Sequence, residues 1–511
     1  MRMDPNWQNV TDPIFHYAQR RPDAPALIEG GRTVGYRELA ALVGKAAVYH
    51  AGLGIAAGQR VAVSLTNGID HFILSLGLLR LGATLMEVPF SQQQSPPPAT
   101  LAKFGITTVF VEPGIAPPPG YRAIAVDPTA WIEGIERLSG DRRHDGSGDE
   151  IYTISLTSGT TGTPKGSLTS HRQYFTRLQA YTELFADSGV FSSENPANFL
   201  LTAGIGFTTF FRRMLSHLFI GGPVVIFPEY LNVIDLVKGI APWENALCFV
   251  PSPFCRVLIS CAPPQGLLFP KLRALVAGGG QLYAEEKLAM LARVTPHFYE
   301  SYGASGFGTV SVLPPEAMRT KAASVGRAPS FVEVQAVDRE GQPVPPGVAG
   351  QLRCRGSESK GFAAENDVEG DERFRDGWYH PGDIGYLDAD GYIFLKGRTV
   401  DLIRRAAGDV FASEIEEVVA THPSVQEVAA VGLPRSDGAP GEEIVLVVVT
   451  RGAAQHDSLA QHCRTKLLPE RWPARVFYAD ALPKMPSGKV DRAAVRGMAI
   501  VELRRRTGSG G

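Results

Sequence analysis

Ten consecutive residues, Thr157-Ser158-Gly159-Thr160-Thr161-Gly162-Thr163-Pro164-Lys165-Gly166, bring together five hydroxyl side chains, three glycines and one lysine. Glycine lets backbone N–H groups come close to an anion, hydroxyls donate hydrogen bonds, and lysine adds positive charge. Holding a polyphosphate is the chemistry such a string suits. The G-x-x-x-x-G-K-[ST] spacing of a Walker A loop is absent, so any phosphate cradle here is of another kind. A Ser/Thr/Gly-rich surface loop has the same composition, and the string by itself leaves both readings open.

An apolar, β-prone run, Ile151–Leu156, leads into the string, so a strand delivers it. Similar short apolar runs recur at 60–67 (RVAVSLTN), 107–113 (TTVFVEP), 223–228 (PVVIFP) and 272–280 (LRALVAGGG). Between them lie helix-length segments such as Asp70 to Leu81, whose apolar residues fall at helical spacing and which ends at Gly82. Strands alternating with helices predict an α/β protein with largely parallel sheets. Ser95–Pro98 and Pro113–Gly120 read as surface loops, and 139–150 (SGDRRHDGSGDE) as a polar connection. From Gln351 the pattern turns denser in strand and turn signals. After Arg398 a helix (413–422) and two strands (VQEVAAVGLP and EEIVLVVVT) predict a small α+β unit. The boundary falls between 398 and 399, giving domains 1–398 and 399–511. The tail LRRRTGSGG is expected to fray.

The chain has 511 residues, about three domains' worth at roughly 150 each, which is enough to bury a core without disulfides or a structural metal. Its 50 Lys+Arg against 52 Asp+Glu give a net charge of −2, which excludes a broad electrostatic footprint for nucleic acid. The five cysteines, Cys248, Cys255, Cys261, Cys354 and Cys463, form no C-x-x-C pair, so free thiols in a reducing compartment are expected. The most apolar stretches, Phe72 to Val88 and Phe199 to Phe227, are broken by Arg80 and by Arg212, Arg213 and His217. Neither makes a membrane span. With no signal-peptide run at the N-terminus, a cytoplasmic location is expected.

The string T-S-G-T-T-G-T-P-K-G resembles the signature of the acyl-adenylate-forming superfamily, which includes acyl-CoA synthetases, adenylation domains of peptide synthetases and firefly luciferase. Other segments resemble that family's motifs in the same order. They are ALVAGGGQL (274–282), YESYGASG (299–306), GWYHPGDIGYLDADGYIFLKGR (377–398), DLIRRAAGDVFASEIE (401–416) and LPKMPSGKVDR (482–492). The resemblance covers almost the whole chain. It implies a large N-terminal domain of doubly wound sheets plus a distorted β-barrel, followed by a small mobile α+β C-terminal domain.

The implied reaction joins a carboxylate to the α-phosphate of ATP and expels pyrophosphate, and coenzyme A then takes the acyl group as a thioester. An anion attacking a polyanion needs cations and oriented donors around the transferring group. By resemblance, Thr157, Ser158, Gly159, Thr160, Thr161, Gly162 and Lys165 hold the β- and γ-phosphates of ATP with Mg²⁺. Gly278, Gly279 and Gly280, with Glu300, Ser301 and Tyr302, form the adenine wall. Gly303 belongs to the same nucleotide-binding set, and the Ser305 hydroxyl donates to the α-phosphate. Asp383 accepts hydrogen bonds from the ribose hydroxyls, Arg398 lies close to ribose and phosphate, and Lys489 is the catalytic cation of the first half-reaction. No protein metal ligand is assigned.

Several positions depart from the family pattern. The metal-binding glutamate is Gly306, the hinge residue is Val400, the threonine of T-G-D is Pro381, a C-domain glycine appears as Ala407, and 203–207 (AGIGF) lacks an aromatic/His pair. The segment 202–211 carries no acidic residue to pair with an α-ammonium, so a fatty or aryl acid is expected over an amino acid. Two alternatives stay open: a stand-alone loader of an acyl carrier protein in trans, and a degenerate member that binds nucleotide or acyl ligand without turnover. No carrier domain is expected in the 22 residues after Lys489.

Overall fold

The computed structural model describes residues 4, 6–90, 98–115, 119–157, 165–185, 189–227, 233–304, 307–356, 373–405, 408–435, 437–452, 456–484 and 490–508. It is a mixed α/β protein with a large N-terminal domain and a smaller C-terminal one.

Two sheets of the N-terminal domain are mostly parallel. The larger has eight strands in the order Gly308–Leu313, Phe298–Ala304, Ala274–Gly278, Ala246–Pro251, Asn198–Leu201, Val224–Ile226, Pro25–Glu29 and Arg32–Gly35. Its six inner strands are parallel, and each edge strand is antiparallel to its neighbour. The second sheet runs Arg122–Ala125, Thr108–Val111, Arg60–Ser64, Thr84–Glu87, Ile151–Thr157, Lys165–Ser170. The apolar runs read from sequence are these strands: Val-, Ile- and Leu-rich segments can be buried on both faces once helices cover the sheet. The helix expected over 70–81 is Ile69–Arg80, and the chain leaves it through Gly82 at φ +84°.

Arg80, which interrupts an apolar stretch, is itself buried and satisfied by carboxylates. It donates to Asp12 at 3.1 Å and pairs with Asp141 at 2.5 Å. The polar connection 139–150 thus lies within the N-terminal domain and supplies one of the counter-charges.

The third sheet, where the distorted barrel was expected, is antiparallel and holds six strands between Val332 and Arg398. Beyond it the helix Ala412–Ala420 packs on the strands Val425–Pro434, Glu442–Thr450 and Arg475–Tyr478. The apolar clusters on the two faces of this small sheet draw on residues from Ile403 onward only. The tail departs from expectation: the helix Arg492–Gly508 continues through the basic run that was expected to fray. Val495 and Ala499 on it are buried against the sheet, which offsets the ordering cost. Among the described residues no helix is long and apolar enough to cross a membrane. The stretch Phe199–Phe227 divides into two strands and the helix Thr208–Phe219. Of the segments read as surface loops, 95–97 and 116–118 lie outside the described residues.

Candidate active site

In open parallel sheets, ligands gather at the carboxyl ends of the strands. Here the strands Ala274–Gly278 and Phe298–Ala304 end side by side, with Gly278 in register with Ser301. A Cβ on Gly278 would stand 2.7 Å from the Ser301 carbonyl oxygen, so only glycine fits. Gly279 follows at φ +82° with open space beside it, a conformation L-residues adopt reluctantly. The turn is therefore bare at its exposed middle residue, Gly279, where a flat ring could stack, while Gly278 is buried beneath it.

Tyr302 reaches from this edge to the antiparallel sheet and donates its phenol to Asp383 Oδ2 at 2.5 Å. Burial and the adjacent carboxylate hold the Tyr302 phenol protonated, with its pKa pushed well above the usual range. Asp383 and Arg398 occupy opposite positions on paired strands, and Arg398 Nε donates to Asp383 Oδ1 at 3.2 Å. Half of the Arg398 side chain is exposed, whereas that of Asp383 is only 14% so. The carboxylate is thus held from two sides, and the guanidinium remains open to a ligand.

Glu300 does not face this edge. Its carboxylate is buried and pairs with Lys287 Nζ at 2.6 Å, and that ammonium also donates to the Ser324 carbonyl at 2.9 Å. Burial raises the Glu300 pKa while Lys287 lowers it. The Glu300 side chain is thus committed to a core ion pair, which leaves its backbone as the part that can border the adenine wall.

The Ser/Thr/Gly-rich string begins and ends on an antiparallel pair of strands, with Thr157 in register with Lys165. Ser158, Gly159, Thr160, Thr161 and Gly162 lie outside the described residues, as do Ser305, Gly306 and Lys489. What the structure adds is how the flanking strands are fixed. Arg212, on the helix Thr208–Phe219, donates through Nη2 to Ser155 Oγ at 2.8 Å and to Thr169 Oγ1. One guanidinium therefore clamps both strands of the hairpin to that helix. Sequence reasoning treated Arg212 only as a break in an apolar run. Its partners lie 57 and 43 positions away, and no local pattern announces them.

The segment 203–207, short of its aromatic/His pair, is held by backbone. Ile205 N–H donates to Asn67 Oδ1 at 2.8 Å, and a Cβ on Gly206 would stand 2.5 Å from the Val88 carbonyl oxygen. At the domain junction Val400 is 67% exposed on the turn after Arg398. Arg492, which closes the last motif, pairs with Glu416 at 2.6 Å and Asp401 at 3.4 Å. That arginine anchors the chain just after Lys489 and is not directed at a ligand.

Among the described residues no three His, Cys, Asp or Glu side chains gather as a metal site. A Mg²⁺ ion fits such a site when phosphate oxygens and waters supply most of its ligands.

The profile of the AMP-binding enzyme family matches residues 14–360, and that of the AMP-binding enzyme C-terminal domain matches 414–489. The chain is 28% identical to a fatty acid–[acyl-carrier-protein] ligase, ScoC, of Streptomyces coeruleorubidus, over 96% of each chain. It is 29% identical to a sulfoacetate–CoA ligase of Cupriavidus necator, over 93% of this chain and 95% of the relative. Among solved structures, ATP-bound MatB from Rhodopseudomonas palustris superposes with a TM-score of 0.84 at 22% identity, covering 96% of this chain and 98% of that one.

Proposed function

Because the chain belongs to the AMP-binding enzyme family, we propose that it activates a carboxylic acid with ATP to an acyl-adenylate and passes the acyl group to a thiol. A carboxylate oxygen of the acid attacks the α-phosphorus and pyrophosphate leaves. The thiol sulfur then attacks the acyl carbonyl carbon, the thiol proton is released, and AMP leaves.

The observation that carries this reading is the Tyr302–Asp383–Arg398 constellation beside the bare Gly278–Gly280 turn. A carboxylate has about four acceptor directions, and Tyr302 and Arg398 use two of those on Asp383. Two remain for a pair of ribose hydroxyls, which is what a nucleoside presents. Tyr302 and Gly278–Gly280 then form the base wall, with Ser301 and Gly303 at its edge. Arg398 faces the phosphate side. Thr157, Ser158, Gly159, Thr160, Thr161, Gly162 and Lys165 take the outer phosphates, and Ser305 the α-phosphate. Lys489 supplies the cation that offsets charge as acid and phosphorus approach. Mg²⁺, bound mainly through phosphate oxygens, supplies further charge neutralisation.

We assign the acceptor thiol to coenzyme A, and the domain 399–511 to the part that moves between half-reactions. An acyl carrier protein is the alternative acceptor, favoured by the ligase of that kind at 28% identity over 96% of both chains. Free cysteines throughout accord with a reducing cytoplasm, where ATP and such thiols are abundant. The test is pyrophosphate release over a panel of fatty, aryl and dicarboxylic acids, with coenzyme A, with a carrier protein, or with neither. Acid-dependent release with a coenzyme A thioester as product supports the reading. Thioester formed only on the carrier protein moves the assignment to the alternative, and no release with any acid refutes both.

A further inference from the structure

The strand Ile393–Arg398 ends at Arg398, and the first turn of the helix Ala412–Ala420 lies against it. Ser413 Oγ donates to the Lys396 carbonyl. A Cβ on Gly397 would stand 3.0 Å from the Phe411 ring and 3.3 Å from Ser413 Oγ, so strand and helix meet closely there. Beside this contact the Glu414 carboxylate takes two cations. Lys396 Nζ, from the strand, lies 3.6 Å from Oε1, and Arg471 Nη1, from within the C-terminal domain, lies 3.1 Å from Oε2. The Lys396 pair crosses the domain junction, and the Arg471 pair keeps the carboxylate in place to make it.

The same helix controls the other side of the junction. Glu416 is buried and holds Arg492 through both oxygens, at 2.6 and 2.7 Å. Arg492 stands just after Lys489, and on the other flank of that segment Lys484 pairs with Glu427 at 2.9 Å. The backbone also bridges Lys484 to Val490. Both flanks of the Lys489 segment are thus fastened inside the C-terminal domain, which must carry the segment as it moves. Tyr283, just beyond the Gly278–Gly280 turn, shows that this side of the domain faces the nucleotide edge. Burial and the nearby Glu416 carboxylate raise its pKa, and Arg492 opposes the rise.

We propose that Glu414 is a positioning residue for the first half-reaction: its bridge to Lys396 holds the C-terminal domain, and with it the Lys489 segment, in the adenylating orientation, and parts when the domain turns for the second. The inference rests on the adenylating activity and the moving domain proposed above. The two side chains are 38% and 20% exposed, so the bridge is of a strength that can open in every cycle. A pair of this kind biases an equilibrium by at most about fivefold.

The experiment measures the two half-reactions apart in Lys396→Met, Glu414→Gln and the double variant. Acid-dependent exchange of pyrophosphate into ATP reports the first, and thioester formed from supplied acyl-AMP, with the thiol that the wild type accepts, reports the second. Each single variant is expected to slow exchange by about two- to fivefold, while thioester formation keeps its rate or gains. The double variant should lose no more than either single one, because both remove the same bond. Lys396→Met leaves the carboxylate in the first turn of the helix, so agreement between the single variants excludes an effect on the helix alone. Equal losses in both half-reactions overturn the inference, since a merely structural role would behave so. Unchanged exchange in either single variant, or losses that add in the double one, overturn it as well, and all three outcomes leave the adenylating activity standing. A wild type that melts cooperatively and exchanges no pyrophosphate with any acid refutes that activity itself, and the inference with it.

Discussion

The phenol of Tyr302 donates to Asp383 at 2.5 Å across 81 positions of sequence, joining the edge of the large parallel sheet to the antiparallel one. The bond orients the carboxylate before any nucleotide arrives, and preorganisation of this kind lowers the cost of binding. Asp383→Ala should weaken ATP binding by about 1.5–3 kcal/mol, the scale for hydrogen bonds to a charged group. Tyr302→Phe leaves the acceptor in place and should cost less, about tenfold or below in affinity. Calorimetric titration with ATP checks both, and unchanged affinity in Asp383→Ala would remove that residue from the site.

The Lys287–Glu300 pair makes a stability prediction. Both side chains are almost wholly inside, at 1% and 4% exposure. Removing one partner of such a pair leaves a buried charge uncompensated, at a cost of about 3–5 kcal/mol. Lys287→Met should therefore lower the melting temperature markedly. The double variant Lys287→Met/Glu300→Gln should recover a good part of the loss, because the orphaned charge is gone. A double variant no more stable than the single one would show that packing, not charge, dominates there.

Acid sensitivity follows from three buried histidines. Burial lowers the pKa of His50 and of His171 to about 4 and that of His217 to about 3. The neutral form of His171 is also required by structure, since its Nδ1 accepts the Val10 N–H at 3.0 Å. Unfolded histidine titrates near 6.5, so between that pH and about 4 the unfolded chain binds protons that the folded one refuses. Their contribution is complete above about pH 6.5 and is lost as pH falls through that window. Melts at pH 7.5, 5.5 and 4.5 should show the decline. His217→Phe, replacing a ring stacked on Phe199 at 4.9 Å, should flatten it, and an unaltered slope would rule out His217 as a contributor.

Gly306 and Lys489 lie outside the described residues, and chemistry alone sets their predictions. With Gly306 unable to ligate, half-maximal pyrophosphate release should need more Mg²⁺ than in a Gly306→Glu variant, provided that variant melts as the wild type does. Identical Mg²⁺ dependence in the two would contradict a missing ligand. Lys489→Ala should lose adenylation by about 10²–10³-fold, the scale for removing a group aimed at developing charge. Thioester formation from supplied acyl-AMP should largely survive it, and equal loss of both half-reactions would contradict the role given to Lys489.

What could be read in advance divides by distance along the chain. The strands Arg60–Ser64, Thr108–Val111, Val224–Ile226 and Ala274–Gly278 are continuous apolar runs, and their burial on both faces makes them plain. Asp383 and Arg398 were singled out only because the block 377–398 resembles a family motif, and their pairing across one hairpin is what the structure adds. The Tyr302–Asp383 bond, the Arg212 clamp and the Asn67–Ile205 contact were not legible, since each joins residues more than 40 positions apart and depends on how sheets stack. Glu300 was placed in the wall with the rest of its motif, by resemblance. Only the position of Lys287, one helix away, shows that its side chain belongs to the core. The last helix was missed because its polar, basic end offers no apolar stripe, while Val495 and Ala499 at its start do the packing.

The most direct test of an acyl-adenylate intermediate is acid-dependent exchange of labelled pyrophosphate into ATP, with no thiol present. Exchange reverses the first half-reaction only, so it reports the adenylate without any assumption about the acceptor. The account predicts exchange that requires both Mg²⁺ and a carboxylic acid and that disappears in Lys489→Ala. Label that fails to enter ATP with any acid, in a protein that binds ATP and melts cooperatively, would contradict it.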